Sequence, residues 1–439
     1  MGETKEAIDL KEILPIDQIT ENNECHYLGN SGKVTVFPKN EEEIVRILQY
    51  SSDKELKVSV IGNGTKRGFG GLMDSYDLLL SLSQYKGIVE HAPGDMTVTV
   101  KAGTPFCELQ SYLASYNQMI AIDVSHTSEA TIGGIIAAND SGPKRLGYGS
   151  ARDSVIGMKL VYPDGTVIRT GGKVVKNVAG YDMNKLFIGS MGTLAVVSEI
   201  TFKLRPIPKC ENLVLLNFDR KHTSEARHFI TELFDSTLEP TAVQLLTPQL
   251  ASSLNLREEY TVAISFEDVE NSVKYQVDAL KNKKPENFQM TVLQETDAKE
   301  FWQFVANSGP SANEMQGENV VASIKIGVKN LDVLQVLMHL EQLEKTYEIK
   351  FTAHGSFGTG LCQVNIEGSS QYITDFIQEV QLYVSEIGGY TIVTHLPFSL
   401  RQKVDVWGGK PDHFFLLQGI KGKNDPKNIL NYQRFVGGI

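Results

Sequence analysis

The sequence is poor in cysteine, lacks a long apolar run and carries no excess of positive charge. Its four cysteines, Cys25, Cys107, Cys210 and Cys362, are widely scattered, with no CxxC pair and no spacing that suits zinc or an iron–sulfur cluster. This argues against an electron carrier holding its own cluster, and no metal site is expected. The cysteines read as buried thiols in a reducing compartment. No segment approaches the length of an uninterrupted membrane span, and the opening MGETKEAIDLKEILPIDQ is too charged for a signal peptide. A cytoplasmic protein that is not integral to a membrane is the expectation. A net charge of -11 opposes binding to nucleic acid or to an anionic lipid surface.

What the chain does have is glycine, 38 residues of it, much of it in clusters. At 439 residues it is too long for one core. The first part alternates β-rich runs (KVTVFP, KVSVIG, DLLLSL, MTVTVKAG, VIGMKLVYPDG, TVIRTGG, TLAVVSEITFKLRP) with turns. Two helical patterns lie among them, one opening at Asn40 as N-cap and one at Thr104-Pro105. Pro206 and Pro208 close this pattern, which places a first domain at 1–208 with its core at about 30–208. Residues 209–420 then alternate strands and helices in the manner of an antiparallel sheet backed by helices. Residues 421–439 are turn-rich but end apolar, which predicts a tail that docks back on the first domain. The fold class is therefore α+β.

Three glycine-rich segments share the first domain. VIGNGTK, residues 60–66, puts a tight turn directly after an apolar strand, where successive N–H groups can form a nest for phosphate oxygens and Thr65 and Lys66 add a hydroxyl and a charge. It fits neither the Rossmann fingerprint nor the P-loop. ATIGGIIAANDSGPKRLGYGSARDSVIG and KNVAGYDMNKLFIGSMGTL place small residues beside β-rich segments, as backbone lying against a flat ligand requires. A turn framework alone would also use such residues.

Together, in this order, the three segments resemble the FAD-binding domain of the vanillyl-alcohol oxidase and p-cresol methylhydroxylase (PCMH) type. Within it the resemblance is greatest to the FAD-binding subunits of bacterial glycolate oxidases, through SGPKR (Ser141 to Arg145), KNVAGYD and the closing DVWGGKP and KGKNDPKNILNYQRFVGGI. It implies a PCMH-type FAD-binding domain followed by a cap domain. Gly62, Asn63, Gly64, Thr65 and Lys66 would hold the pyrophosphate; Ser125, Thr131, Gly133 and Gly134 would pass near the pyrophosphate and isoalloxazine. Asn139, Ser141, Gly142, Gly149 and Val197 would continue the cleft. Asn431 and Arg434 would reach the flavin from the tail, although the chain reads Asn-Tyr-Gln-Arg where the family often reads Asn-Pro-Gly-Arg. The first loop has no histidine, so the implied FAD is non-covalent.

The resemblance further implies oxidation of a small 2-hydroxy acid such as glycolate, with electrons leaving through a second flavin subunit and an iron–sulfur subunit, and association with the inner membrane only through those partners. The SGEHG-type metal phrase of related 2-hydroxy-acid dehydrogenases is absent; TAHGSFGTG offers only His354 as a catalytic candidate, and His395 in VTHLP is a weaker one. A self-sufficient oxidase and a non-catalytic flavin-binding assembly subunit are the alternatives.

Overall fold

The computed structural model describes residues 10–172, 181–312 and 319–439. Residues 176–180 of the KNVAGYD phrase thus lie outside the described residues.

Strands Ile19–Glu21, Ser31–Val36, Ser75–Ser81 and Val58–Ile61 form a first sheet in that spatial order, the last three mutually parallel. The crossover that permits parallel pairing is helix Glu41–Lys54. Its start follows from local chemistry: Asn40 accepts the Glu43 N–H at 2.9 Å, and Glu41, Glu42 and Glu43 complement the positive helix end. Ile44, Ile47 and Leu48 then recur at helical spacing and are fully buried. A second sheet is antiparallel, in the order Ile88–Ala92, Thr97–Lys101, Val196–Lys203, Val155–Val161, Val167–Gly171. The two sheets share one apolar cluster, which also takes in Ile429 and Leu430 from the far end of the chain.

The glycine stretch after Ala130, which lies beside β-rich segments, is itself helical, as Ile132–Ala138, Arg145–Tyr148 and Ala151–Ser154. Ile132, Ile135 and Ile136 make the buried stripe of the first of these, Thr131 caps it, and Asn139 ends it in the left-handed conformation at φ 48°. Its glycines allow close approach: a Cβ on Gly133 would stand 2.8 Å from the Cβ of Ala102.

The cap is one antiparallel sheet of eight strands, in the order Gln289–Gln294, Cys210–Phe218, Tyr260–Asp268, Ala242–Leu246, Lys350–Ser356, Leu361–Gly368, Val320–Gly327, Tyr390–His395. Helices Thr223–Phe234, Glu270–Lys283, Asp332–Thr346 and Ser370–Glu386 cover one face and bury Val214, Val243, Ile324, Ile326, Phe351 and Val364. The other face is divided. Helix Glu295–Ala306 covers one half through Phe301 and Trp302, and the remaining half faces the first domain. The strand Gln289–Gln294 is not marked by sequence periodicity, because it is an edge strand with a single neighbour and most of its residues stay exposed, whereas the helix after it buries Ala298, Phe301, Trp302 and Val305 at helical spacing.

After helix Phe414–Asn424 the tail returns to the first sheet. Val58 N–H donates to Ile429 O and Asn431 N–H to Val58 O, both at 2.8 Å. Lys421 Nζ is buried between Asp425 Oδ2 (2.6 Å), Thr193 O (2.8 Å) and Leu430 O (3.1 Å). Asp425 in turn accepts the N–H groups of Ile429 and Leu430. No helix among the described residues is long and apolar enough to cross a membrane.

Candidate functional site

Two cavities adjoin at Thr65, Lys66 and Ala138. The first is a narrow cleft between the VIGNGTK loop and helix Ile132–Ala138, and it gathers Gly62, Asn63, Gly64, Thr65, Lys66, Thr131, Gly133, Gly134, Val197, Asn431 and Arg434. The amide N–H groups of Asn63, Gly64, Thr65 and Lys66 have no acceptor among the described residues, and Gly64 turns at φ +83°. Backbone donors left free in a cleft, with a cation beside them, suit a phosphate. Ala102, Ala137, Gly192 and Ala195 keep the opposite wall flat. A methyl group at Gly62 would enter the van der Waals shell of Thr131 Oγ1. These observations fit the pyrophosphate and flat rings of FAD.

The loop is clamped from behind. Asn30 Nδ2 donates to Arg67 O (2.8 Å) and Gly70 O (3.0 Å), and Arg401 Nη1 reaches the same two carbonyls while its Nη2 binds Leu28 O. Arg434 Nη2 donates to Lys66 O at 3.1 Å. Burial lowers the pKa of Arg434 to about 10 and that of Arg401 to about 9, so both remain cations at neutral pH. The tail also supplies Asn431, whose Oδ1 accepts the Val60 N–H and whose Nδ2 donates to Met191 O. Loop, tail and the segment around Met191 are thereby fixed to one another.

The second cavity, about 720 Å³, lies between this domain and the cap sheet. Its first wall carries Ser125, Asn139, Asp140, Ser141, Gly142 and Arg145; its second carries Gln244, Ser323, Lys325, His354, Ser356 and His395. Strand alternation produces the second wall: Ile324 and Ile326 point into the core, Ser323 and Lys325 into the cavity. The walls are tied together by Lys144, whose Nζ lies 2.7 Å from Glu211 and 2.6 Å from Glu267, and by Gln244 Nε2 donating to Pro143 O at 2.8 Å.

Lys66 Nζ is 2.7 Å from Asp140 Oδ2, which also accepts from Ser125 Oγ at 2.9 Å. Burial disfavours the Asp140 carboxylate, but Lys66, Ser125 and Lys325 outweigh it and its pKa falls below the ordinary value. His354 Nδ1 is 3.2 Å from Gln244 Oε1, and burial lowers its pKa to about 4. His395 falls to about 4 through burial, with Arg401, His126 and His26 adding to the effect. Two histidines far apart in sequence thus face one chamber as neutral bases.

Gly149 lines neither cavity. It sits at φ +77° after helix Arg145–Tyr148, with the Asp153 carboxylate filling the space beside it. Among the described residues no group of three or more His, Cys, Asp or Glu side chains is placed to hold a metal ion. Asp140, Arg145, Lys325 and Trp407 line the chamber although sequence motifs assign them no role. The one available signal for Lys325 was its polar register with Ser323 in an otherwise apolar strand.

Residues 32–171 match the FAD binding domain family FAD_binding_4. The fold is that of p-cresol methylhydroxylase, whose substrate-bound crystal structure superposes with a TM-score of 0.76 at 14% identity, over 99% of this chain and 97% of that one. Among particular proteins, glycolate oxidase subunit GlcD of Bacillus subtilis is 26% identical over 415 residues, 90% of this chain and 87% of that protein. The mitochondrial D-lactate dehydrogenase [cytochrome] of Arabidopsis thaliana is 32% identical over 250 residues, 56% of this chain but 43% of that longer protein.

Proposed function

We propose that the chain holds FAD non-covalently along the cleft and oxidises a small 2-hydroxy acid of the glycolate or D-lactate type to the 2-oxo acid, giving up the electrons to a partner subunit. The observation that carries this reading is the chamber abutting the nucleotide cleft, in which neutral imidazoles face unneutralised cations. FAD, when bound, supplies the acceptor for the hydride leaving the α-carbon. The protein's part is to hold the acid, take up the hydroxyl proton and exclude water. His354 is the base: it is neutral, oriented by Gln244 and set on a sheet strand rather than a mobile loop. The scattered cysteines, the likeness to a protein named as an oxidase subunit and the resemblance set out above support an acceptor outside the chain, in a complex with a second flavin subunit and an iron–sulfur subunit.

His354→Asn is expected to lower the rate of flavin reduction by about 10²–10⁴-fold with flavin content unchanged. A base is active when deprotonated, so the wild-type rate should stay level down to about pH 5 and fall as the pH approaches the value of about 4 that burial gives His354. Stopped-flow pH profiles check both, and a rate already halved near the ordinary histidine pKa would contradict the assignment. Acid precipitation should leave a yellow supernatant and a colourless pellet. A yellow pellet would mean covalent attachment, for which His126 in the chamber wall is the nearest candidate.

A further inference from the structure

The chamber holds more positive charge than its own acids neutralise. Lys66 is matched by Asp140. Arg145 hydrogen-bonds only a neutral partner, Ser141 Oγ, at 2.7 Å, and faces no carboxylate within ion-pair distance among the described residues. Lys325, on strand Val320–Gly327, lines the cavity from the opposite wall and has neither an ion pair nor a side-chain hydrogen bond among the described residues. Burial lowers its pKa, and Arg145 and Lys66 lower it further against the pull of Asp140. Ser356 Oγ, a potential donor in the same chamber, is also buried without a partner. Leaving two cations and a hydroxyl donor uncompensated in the chamber is costly, and a ligand anion would satisfy Lys325, Arg145 and the Ser356 O–H together.

We propose that Lys325 and Arg145, one from each wall, form the anchor for the substrate carboxylate, so that specificity for an acid over a neutral alcohol is set where the cap meets the FAD-binding domain. This rests on the reading of the chamber as a 2-hydroxy-acid site and adds the residues that recognise the acid. Lys66 is excluded from the role because its charge is already committed to Asp140. The direction of the field agrees: with the acid seated, its negative charge stabilises Lys325 in the protonated form, while the neutral His354 remains free to take the hydroxyl proton.

The test uses the FAD-loaded full chain and oxalate, a dicarboxylate with no carbon-bound hydrogen to transfer. Oxalate affinity is read by calorimetry and by perturbation of the flavin spectrum. Lys325→Gln and Arg145→Gln should each weaken oxalate at least tenfold, and Lys325→Arg should recover most of the loss. In turnover or half-reaction assays the Lys325→Gln effect should fall on apparent substrate affinity much more than on the limiting rate. Because Lys325 has no partner to lose, Lys325→Gln should melt no lower than wild type in the absence of oxalate, and its drop in affinity is then attributable to the missing charge. Wild-type oxalate affinity in both glutamine variants would overturn the anchor. Tight oxalate binding that depends on Lys325, with no 2-hydroxy acid able to reduce the flavin, would instead overturn the functional reading and leave the anchor standing.

Discussion

Gly62→Val is expected to yield a folded but colourless protein that binds added FAD at least a hundredfold more weakly than wild type. The cause is space rather than backbone conformation. Gly62 is not among the residues at positive φ, but any Cβ there collides with Thr131 Oγ1, the cap of the helix that forms the far side of the cleft. Strand and helix would have to separate at the point where the free amide groups of Asn63 to Lys66 face the cleft. Gly64→Ala provides the contrast: its Cβ would meet only Arg67 side-chain atoms at 3.8 Å, so the penalty is the left-handed conformation at φ +83°, about 1–2 kcal/mol. Flavin content of the purified variants and fluorescence titration with FAD read the difference. Full flavin occupancy in Gly62→Val would mean that the loop does not form the cofactor cleft.

The second large effect concerns the tail. Lys421→Met should destabilise the protein by about 3–5 kcal/mol, because it strands the Asp425 carboxylate, fully buried, without its countercharge and leaves the carbonyls of Thr193 and Leu430 without their donor. Replacing both partners, as Lys421→Met with Asp425→Leu, removes the orphaned charge and should recover part of that loss. Recovery would be incomplete because Asp425 also accepts the Ile429 and Leu430 N–H groups. The consequence reaches function through residues 429–434: a loosened tail withdraws Asn431 and Arg434 from the cleft wall, so flavin retention and protease resistance of the tail should fall together with the melting temperature. A single variant as stable as the wild type would remove the buried pair from any structural role.

Much of this architecture was legible from periodicity. The strand runs and the Asn40 helix start are local signals, and the alternation of strand and helix beyond Pro208 matches the helix-backed antiparallel cap sheet. The segment after Ala130 was not, since glycine and alanine suit close packing in a helix as well as in a strand, and only contact with Ala102 and the strand Val196–Lys203 selects the helix. At the site, the VIGNGTK loop announces itself because its chemistry is local backbone chemistry. Lys325, Arg145 and Asp140 do not, because their importance arises from a chamber assembled by two domains and from which charges find partners within it. His354 and His395 were visible as isolated histidines, but nothing in their 41-residue separation reveals that a strand end and an edge strand deliver both to one cavity. Gly149 shows the converse: a glycine within a flavin-like phrase whose role in the structure is a turn beside Asp153.

The most direct test is anaerobic mixing of the FAD-loaded chain, without any partner, with glycolate and separately with D-lactate while the oxidised-flavin absorbance is followed. The account predicts that at least one of these acids bleaches the flavin, that His354→Asn slows the bleaching with flavin content unchanged, and that Lys325→Gln raises the acid concentration required. Flavin that stays oxidised at saturating acid, yet is reduced at once by dithionite, would contradict it.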